Sequence, residues 1–311
     1  MPQTLRHNQG RTKRKMIQDI APHKMYNQFR PGMVPDADSP VFLFADEKRK
    51  HFMAHVSDGR MRYPVFGEMP DGLSYTYLFS IDDDKYFMGT PDDPESFVFP
   101  EGLTKIGIRE LRYEYYKGEE DRPLAFAAYT AGQLAGWYRD NRYCGTCAHT
   151  TEPSQTERAL VCPNCGRIIY PRILPAVIIG VTDGDRMILT KYAGRTLPYY
   201  ALVAGFNEIG ETLEETVARE VMEEVGLKVK NIRYYKSQPW GIVDDLLTGY
   251  YCDVDGSTEI KMDKSELKEA VWVERKDIAG QSLDFSLTHE MMMTFREGKE
   301  PLGYRYAGKD D

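Results

Sequence analysis

The chain has 311 residues, which is enough for two domains of ordinary size and a small additional module. Hydrophobic residues make up 41% of it and charged residues 28%, a composition that argues against a disordered or fibrous chain. The net charge of -8 argues against a sequence-independent DNA or RNA binder, because phosphate backbones select basic surfaces.

Residues 1–24 are predicted to form a flexible basic tail. Its basic residues before the first acidic residue, Asp19, are Arg6, Arg11, Lys13, Arg14 and Lys15. Residues 1–20 lack the apolar core of a signal peptide, and no apolar run in the chain is long enough to span a bilayer. We therefore expect a cytoplasmic protein with neither a membrane nor DNA as a partner.

Residues 25–138 are predicted to form a strand-rich α+β domain. Short β-like runs at 41–44 and 75–80 are separated by turns rich in Pro, Gly and Asp. Residues 125–142 read as a helix, with Leu134, Trp137 and Tyr138 on one repeating face. The pattern indicates no chemistry for this domain.

Residues 139–171 contain two Cys-x-x-Cys pairs with fourteen residues between them. The four cysteines are Cys144, Cys147, Cys162 and Cys165. Their spacing predicts a Cys₄ zinc ribbon in which Gly145 and Gly166 permit the turns. Two disulfides are the alternative, which a chain without an export signal disfavours. Because sulfur fills all four positions, we expect one structural Zn²⁺ per chain.

Residues 172–311 are predicted to form an α/β domain. Asp183-Gly184 indicates a hairpin between its first two strands. The predicted elements are strands at 176–181, 186–190, 231–236, 247–253 and 270–274 and a helix at 286–297, besides a central helix within 205–227. This order fits an α/β/α sandwich around a mixed sheet.

The central helix carries three glutamates at i, i+3 and i+4, which are Glu220, Glu223 and Glu224. This spacing puts their carboxylates on one helix face, where like charges repel unless a cation neutralises them. Oxygen ligands of this kind suit Mg²⁺ or Mn²⁺. The alternative is a solvated acidic face, which would be favoured for these three glutamates alone.

Local signals give the bounds of this helix. Thr212 and Glu215 have the spacing of a capping box at its start, and Gly226 is a stop signal. An apolar stripe beside the glutamates would fix the helix against a core, so that the charged face points into a cleft. That stripe consists of Val217, Val221 and Val225.

The complete pattern from 205 to 227 resembles the Nudix box of the Nudix hydrolases. Its positions are Gly205, Glu211, Arg219-Glu220, Glu223-Glu224 and Gly226. With the cysteine pairs before it and Ser237-Gln238-Pro239-Trp240 after it, the chain resembles the NADH pyrophosphatase (NAD⁺ diphosphatase) family over 125–297. The same family is also resembled by three further segments, which are Tyr170-Pro171, Gly205-Phe206 and the run from Leu267 to Trp272.

This resemblance implies a Nudix α/β/α sandwich with a mixed sheet, preceded by a Cys₄ zinc ribbon and a strand-rich N-terminal α+β domain. It implies hydrolysis of the diphosphate of NAD(H) to nicotinamide mononucleotide and AMP, by attack of water on phosphorus. Some members of the family remove NAD caps from RNA, which makes NAD-capped RNA the alternative substrate. The family also implies a homodimer.

The resemblance further implies roles for single residues. Glu220, Glu223 and Glu224 would bind two or three Mg²⁺ or Mn²⁺ ions, and Glu269 would reach them from a later loop. Glu224 would accept the proton of the attacking water. Arg219 would orient the glutamates through an ion pair with Glu211. For Glu269 the alternative is an exposed charge.

The substrate side is assigned by the same resemblance. Phe206 and Tyr170 would enclose the nicotinamide ring, which aromatic faces bind well. Gln238 and Trp240 resemble residues of the family's specificity motif. For Phe206, Tyr170 and Trp240 the alternative is packing in the core.

The chain departs from the family directly after Trp240. The family motif continues Pro-Phe-Pro-x-Ser, whereas this chain has Gly241-Ile242-Val243-Asp244-Asp245. Hydrolysis of a diphosphate is still expected, but the choice among NADH, NAD⁺, ADP-ribose and dinucleoside polyphosphates is open. A nucleotide-binding protein without activity is the remaining alternative, and the intact box counts against it.

Overall fold

The computed structural model describes residues 15–45, 51–194, 199–281 and 285–301. Most of the predicted basic tail, residues 1–14, lies outside these ranges. Residues 15–24 are not a free tail, because Met16, Ile17 and Ile20 are buried. The amide of Ile17 donates to the carbonyl of Phe285 at 3.1 Å. The sequence-based prediction missed this apolar segment because basic residues lie next to it.

The N-terminal part is a strand-rich α+β unit, as predicted. Its strands form a mixed sheet in the order β1-β5-β6-β2 and a smaller sheet in the order β4-β3-β7. A core of aromatic and aliphatic side chains, including Phe42, Phe52 and Phe79, joins these sheets to the second helix. Its elements are β1 (Met25–Tyr26), β2 (Val41–Leu43), β3 (His51–Ser57), β4 (Arg60–Arg62), β5 (Leu73–Ile81), β6 (Asp84–Pro91), β7 (Thr104–Gly107), α1 (Ile108–Glu114) and α2 (Arg122–Asp140).

A small three-stranded sheet in the order β10-β9-β8 follows α2. Its strands are β8 (Glu152–Pro153), β9 (Leu160–Val161) and β10 (Ile168–Ile169). Gly166 has φ +72, as the predicted turn requires. In the first turn the residue with positive φ is Ala148 rather than Gly145, so that part of the prediction is wrong.

The C-terminal part contains a six-stranded mixed sheet between two helices. Its main strand order is β14-β15-β11-β12-β16, with β13 paired to the first half of β11. The β11 and β15 strands are parallel, and the other pairs are antiparallel. Its elements are β11 (Leu174–Asp183), β12 (Arg186–Tyr192), β13 (Val203–Phe206), α3 (Leu213–Val225), β14 (Val229–Trp240), β15 (Asp245–Val254), β16 (Leu267–Glu274) and α4 (Leu287–Arg296).

Alternation along β11 assigns one helix to each face of this sheet. Val177 and Ile179 pack with Val217 and Val221 of α3, and we call this side the α3 face. Ile178 packs with Leu287 and Met291 of α4, on the side that we call the α4 face. The predicted α/β/α sandwich is therefore confirmed.

The turn after β14 packs against the N-terminal part. Trp240 and Ile242 contact the N-terminal core, and the ring of Trp240 lies 6.2 Å from that of Tyr129. A side chain at Gly241 would overlap the backbone carbonyl of Tyr129 in α2. The close approach of α2 therefore holds this turn in place.

Candidate active site and zinc centre

Helix α3 begins and ends where the sequence predicts. The side chain of Thr212 accepts a hydrogen bond from the Glu215 amide, and the Glu215 carboxylate accepts one from the Thr212 amide at 2.7 Å. Gly226 ends the helix with φ +70, a conformation that costs glycine little. The predicted stripe of Val217, Val221 and Val225 is fully buried, so the helix orientation is fixed.

Arg219 binds several of the carboxylates around this helix. Its guanidinium binds both oxygens of Glu211, with the shorter contact at 2.6 Å between Nε and Oε1. Its Nη1 donates to Glu220 at 2.8 Å and to Glu223 at 2.9 Å, and Nη2 donates to the carbonyl of Phe206. These bonds from Arg219 hold the pKa of Glu211 at about 2. Arg219 thus joins the end of β13 to the acidic face of α3.

Glu220 and Glu224 are buried between α3 and β13. Burial raises the pKa of Glu220. The side chain of Glu220 fills the space beside Gly205, where a Cβ atom would overlap its carboxyl group. This close approach gives a physical reason for glycine at 205.

Glu224 is the most perturbed carboxyl group of the box. Its residue is 2% exposed and its Oε2 atom has no hydrogen-bond partner in the described part of the chain. Burial, and then the charge of Glu220, raise its pKa to about 8, against donation by the Ala204 amide and the Tyr192 hydroxyl. A buried carboxylate without a full set of donors is costly unless a cation or proton joins it.

The sequence-based prediction overlooked Glu266, an exposed residue directly before β16. The charge of Glu266 raises the pKa of both Glu220 and Glu224, so it lies close to the two buried carboxyl groups. No pattern in the sequence distinguishes Glu266 from Glu269, since both precede the same apolar strand.

Glu269 lies in strand β16 rather than in a loop, which corrects the prediction. Its carboxylate accepts from Lys191 at 2.7 Å and from the Tyr200 hydroxyl at 2.7 Å, and these bonds lower its pKa. Along β16, Val273 packs on the α4 face and Ala270 on the α3 face. Glu269 therefore shares the α4 face with Val273 and points away from the box glutamates.

Phe206 and Tyr170 are exposed aromatic residues, 53% and 56% respectively, and neither packs in a core. Phe206 ends β13, next to Gly205 and the Arg219 guanidinium. Tyr170 follows β10, and its hydroxyl donates to Glu157 at 3.1 Å. Within the ranges that the structure describes, the two rings do not contact each other.

Gln238 and Trp240 both have structural contacts. Gln238 has no exposed surface. Its amide nitrogen donates to the Phe285 carbonyl at 2.9 Å, and its oxygen accepts from the Leu287 amide at 2.8 Å at the start of α4. Trp240 is half-buried against Tyr129 and Phe285, which matches the alternative of a core anchor. A direct substrate contact by Gln238 is therefore not supported.

The four predicted cysteines come together in the small sheet. Their Sγ atoms all lie within 4.8 Å of one another, the geometry of a tetrahedral zinc site. The Sγ atoms of Cys147 and Cys162 are 3.4 Å apart and those of Cys144 and Cys165 are 3.6 Å apart, too far for disulfide bonds. Four thiolates leave no open position, so zinc bound here is structural.

Among the described residues, the cysteines are the one such group of metal ligands. The box carboxylates lie further apart in this arrangement, where Arg219 bridges Glu220 and Glu223. Glu223 is 60% exposed, so its side chain has room to turn toward a cation.

Replacing Cys162 by Ser should remove most of the zinc from the protein and lower its thermal stability, because the fully buried sulfur is one of four ligands. Zinc per chain, measured by plasma mass spectrometry, and the melting temperature are the readouts. Cys252→Ser is the matched control, since Cys252 is buried in the sheet and distant from the cluster. Unchanged zinc content in Cys162→Ser would contradict the assignment.

Two domain families match the chain. Residues 172–293 match the NUDIX domain, and residues 139–170 match the NADH pyrophosphatase zinc ribbon domain. A solved structure of a Nudix hydrolase from Nitrosomonas europaea aligns with 50% of this chain and 91% of its own, at 20% identity and a TM-score of 0.43.

Curated relatives match the C-terminal half. The chain is 45% identical over 146 residues to the NAD-capped RNA hydrolase NudC of Enterobacter sp. (strain 638), which is 47% of this chain and 56% of that protein. It is 42% identical over 160 residues to the protein of the same name from Salmonella heidelberg (strain SL476), which is 51% of this chain and 62% of that protein. The match thus spans less than two thirds of these relatives. In the described part of the chain no helix has the length and apolar character to cross a membrane.

Proposed function

We propose that this chain, which matches the NUDIX domain over residues 172–293 and the NADH pyrophosphatase zinc ribbon domain over residues 139–170, hydrolyses the diphosphate of NAD(H). The products would be nicotinamide mononucleotide and AMP. The observation that supports this best is the pair of buried carboxyl groups, Glu220 and Glu224, beside the exposed Phe206. A metal-dependent acidic site next to a stacking ring suits a dinucleotide.

The donor set fits Mg²⁺ or Mn²⁺. Glu220, Glu223 and Glu224 would hold two or three such ions, with Glu266 rather than Glu269 as the fourth carboxylate. The fit is supported by the Oε2 atom of Glu224, which has no hydrogen-bond partner among the described residues, and by the mutual repulsion of Glu220, Glu224 and Glu266. When bound, these ions would offset the phosphate charge and lower the pKa of the attacking water.

The remaining steps belong to side chains of the protein. Glu224 would accept the proton of the water, because it is buried among the carboxylates that would hold the ions. Arg219 would keep the geometry through Glu211, Glu220 and Glu223 and would transfer no proton. Phe206 would stack on the nicotinamide ring. Tyr170 would provide a second stacking surface, for which its exposure is the support.

We further propose a homodimer in the cytoplasm. Ile173 is an exposed apolar side chain in the segment that leads from the zinc ribbon to the sheet. Apolar side chains in such positions are suited to burial against a second copy. All five cysteines are free of disulfide bonds, as is usual for proteins of a reducing compartment. Light scattering during gel filtration measures the mass in solution.

The test is a panel of substrates followed by phosphorus NMR in ¹⁸O-labelled water with Mg²⁺ or Mn²⁺. NADH, NAD⁺, ADP-ribose and dinucleoside polyphosphates are compared. We expect equal amounts of nicotinamide mononucleotide and AMP from NAD(H), with ¹⁸O in one of them marking the phosphorus that water attacks. Absence of cleavage of every substrate with both metals would favour a nucleotide-binding protein without activity. Faster cleavage of the other compounds would favour a broader Nudix hydrolase.

Removal of NAD caps from RNA is the second candidate, favoured by the names of the curated relatives. The basic residues at 6–14 are the feature of this chain that suits RNA. Cleavage of NAD-capped RNA and of free NAD(H) should be compared in the full chain and in a shortened chain that begins at residue 15. Shortening beyond residue 15 would remove Met16 and Ile17 from the core. A preference for the free dinucleotide in both chains would reject this candidate.

A further inference from the structure

Asp245 is a buried carboxyl group that the proposed mechanism does not use. It is the first residue of β15, is 7% exposed, and has an Oδ1 atom without a hydrogen-bond partner in the described part of the chain. Its neighbour Asp244 pairs with Arg172 at 2.9 Å, whereas no cation among the described residues pairs with Asp245. A buried carboxylate without a partner destabilises the fold, so a ligand that completes it would be bound favourably.

The sheet register puts Asp245 on the same face as Phe206. Leu174 of β11 is the partner of Asp245, and Ala176 is the partner of both Leu247 and Phe206. Partners across a sheet, and residues two apart along a strand, point to one side. Leu247 packs in the core beneath α4, so this side is the α4 face.

The two side chains are separated along this face. Asp245 and Phe206 are two strands and two residues apart, which is roughly 12 Å between Cα atoms. Helix α4 begins at Leu287, whose amide is bonded to Gln238, the partner of Leu247. Asp245 comes two residues before Leu247 in β15, so it lies beyond the N-terminal end of α4. An aromatic ring stacked on the side of Phe206 that faces Asp245 would lie between the two residues.

The box glutamates occupy the other face, since Glu220 lies against Gly205. Gly205 and Phe206 are consecutive residues at the end of β13, so the two faces meet there. A dinucleotide with its diphosphate at the glutamates can pass over this strand end and present its base to the α4 face. Asp245 is the charged residue at that end of the α4 face.

Resting on the proposed function, we propose that Asp245 is a specificity residue that selects the oxidised, cationic nicotinamide ring of NAD⁺ over the neutral ring of NADH. A carboxylate in a site of low dielectric attracts a cationic ring more strongly than a neutral one. Phe206 reinforces the same choice, because the face of an aromatic ring attracts cations. In this chain an aspartate stands where the family motif ends in serine, so the preference belongs to this protein's own residue.

The test compares Asp245→Asn with Asp244→Asn. The control removes the same unit of charge from the adjacent residue, which lies in the turn before β15 and binds Arg172. The kcat/KM values for NAD⁺, NADH and ADP-ribose are measured at pH 8. At that pH Asp245 is mainly ionised, since burial and then Asp244 raise its pKa to about 7. ADP-ribose lacks the nicotinamide ring and reports on the diphosphate chemistry alone.

We expect the ratio of kcat/KM for NAD⁺ to that for NADH to fall about tenfold in Asp245→Asn, the scale of one partly screened charge pair. Hydrolysis of ADP-ribose should be unchanged, as should the ratio in Asp244→Asn. An unchanged ratio in Asp245→Asn, or an equal loss on all three substrates, overturns the proposal. Asp245→Ser provides a second variant if the first does not fold.

Binding separates this proposal from the proposed function. Calorimetry with nicotinamide mononucleotide and its reduced form requires no turnover. The proposal expects tighter binding of the oxidised form to the unmodified protein, with the difference lost in Asp245→Asn. Equal binding of both forms overturns it, whether or not the protein hydrolyses NAD(H). Hydrolysis of ADP-ribose without hydrolysis of NAD(H) instead overturns the proposed function.

Discussion

Replacing Glu224 by Gln should lower kcat by about 10²- to 10⁴-fold, the range that a positioned general base contributes. Glutamine keeps the size of the side chain but accepts no proton from water and is a weaker metal ligand. The measurement is steady-state hydrolysis of NADH with saturating Mn²⁺. Glu214→Gln is the matched control, because Glu214 is an exposed glutamate on the same helix. Near wild-type turnover in Glu224→Gln would show that another group accepts the proton.

The same variant should be more stable than the unmodified protein at neutral pH, which separates lost chemistry from lost folding. The pKa of Glu224 in the folded chain is about 8, above its ordinary value of 4.5, because burial and then Glu220 oppose its ionisation. The stability that the protonated group retains below pH 4.5 is therefore lost progressively up to pH 8. Glutamine does not ionise, so the advantage of the variant should grow across this interval. Thermal unfolding in EDTA at pH 5 and pH 8 measures it, and lower stability of the variant at pH 8 would contradict this account.

Replacing Gly205 by Ala should lower turnover by about 10²-fold or more, the cost of moving a reacting group by about 1 Å. The added Cβ atom would overlap the carboxyl group of Glu220, which would have to leave its position beside β13. That movement would also break its hydrogen bond to Arg219. Hydrolysis of NADH and the affinity for Mn²⁺, read from the electron paramagnetic resonance signal of the free ion, are the measurements.

Gly136→Ala is the control for this substitution. Gly136 lies in α2, and a Cβ atom there would meet no atom within 4 Å. In a helix, alanine is favoured over glycine, so this variant should be at least as stable as the unmodified protein and equally active. Full activity in Gly205→Ala would show that the position of Glu220 is not needed.

Local sequence signals were sufficient for helix α3 and for the cysteine cluster. The capping box, the terminal glycine and the valine stripe each act within a few residues of the helix that they define. The cysteine pairs bring their own turns, and four like ligands leave few arrangements. Predictions of this kind succeed because the deciding interactions are short in sequence.

The choice between Glu266 and Glu269 depended on long-range contacts. Glu266 lies directly before β16, and the pairing of β16 with β12 is irregular between Lys191 and Tyr192, so alternation along the segment does not assign the faces of both glutamates. The pairing sets Glu269 opposite Lys191, away from the box. Nothing within the segment itself carries that information.

For Gln238 and Trp240 too, long-range contacts rather than the local motif decide what the side chains do. Their sequence is similar to a specificity motif, yet Gln238 holds the start of α4 and Trp240 anchors the sheet to the N-terminal part. The packed residues at 16–20 were misjudged for a related reason, because their contacts are with distant parts of the chain, including hydrogen bonds from Ile17 to Phe285 and from Gln18 to Ser237.

By itself, the sequence determined the domain families, the bounds of α3, the zinc ligands and the acidic face of the Nudix box. Only the tertiary structure decided which face of the sheet each later residue occupies. It thereby brought Glu266 to the buried glutamates, turned Glu269 away from them and set Asp245 on the side of Phe206. The physical reason is that helix caps and cysteine turns are local, whereas the register of a mixed sheet joins strands that are distant in the chain.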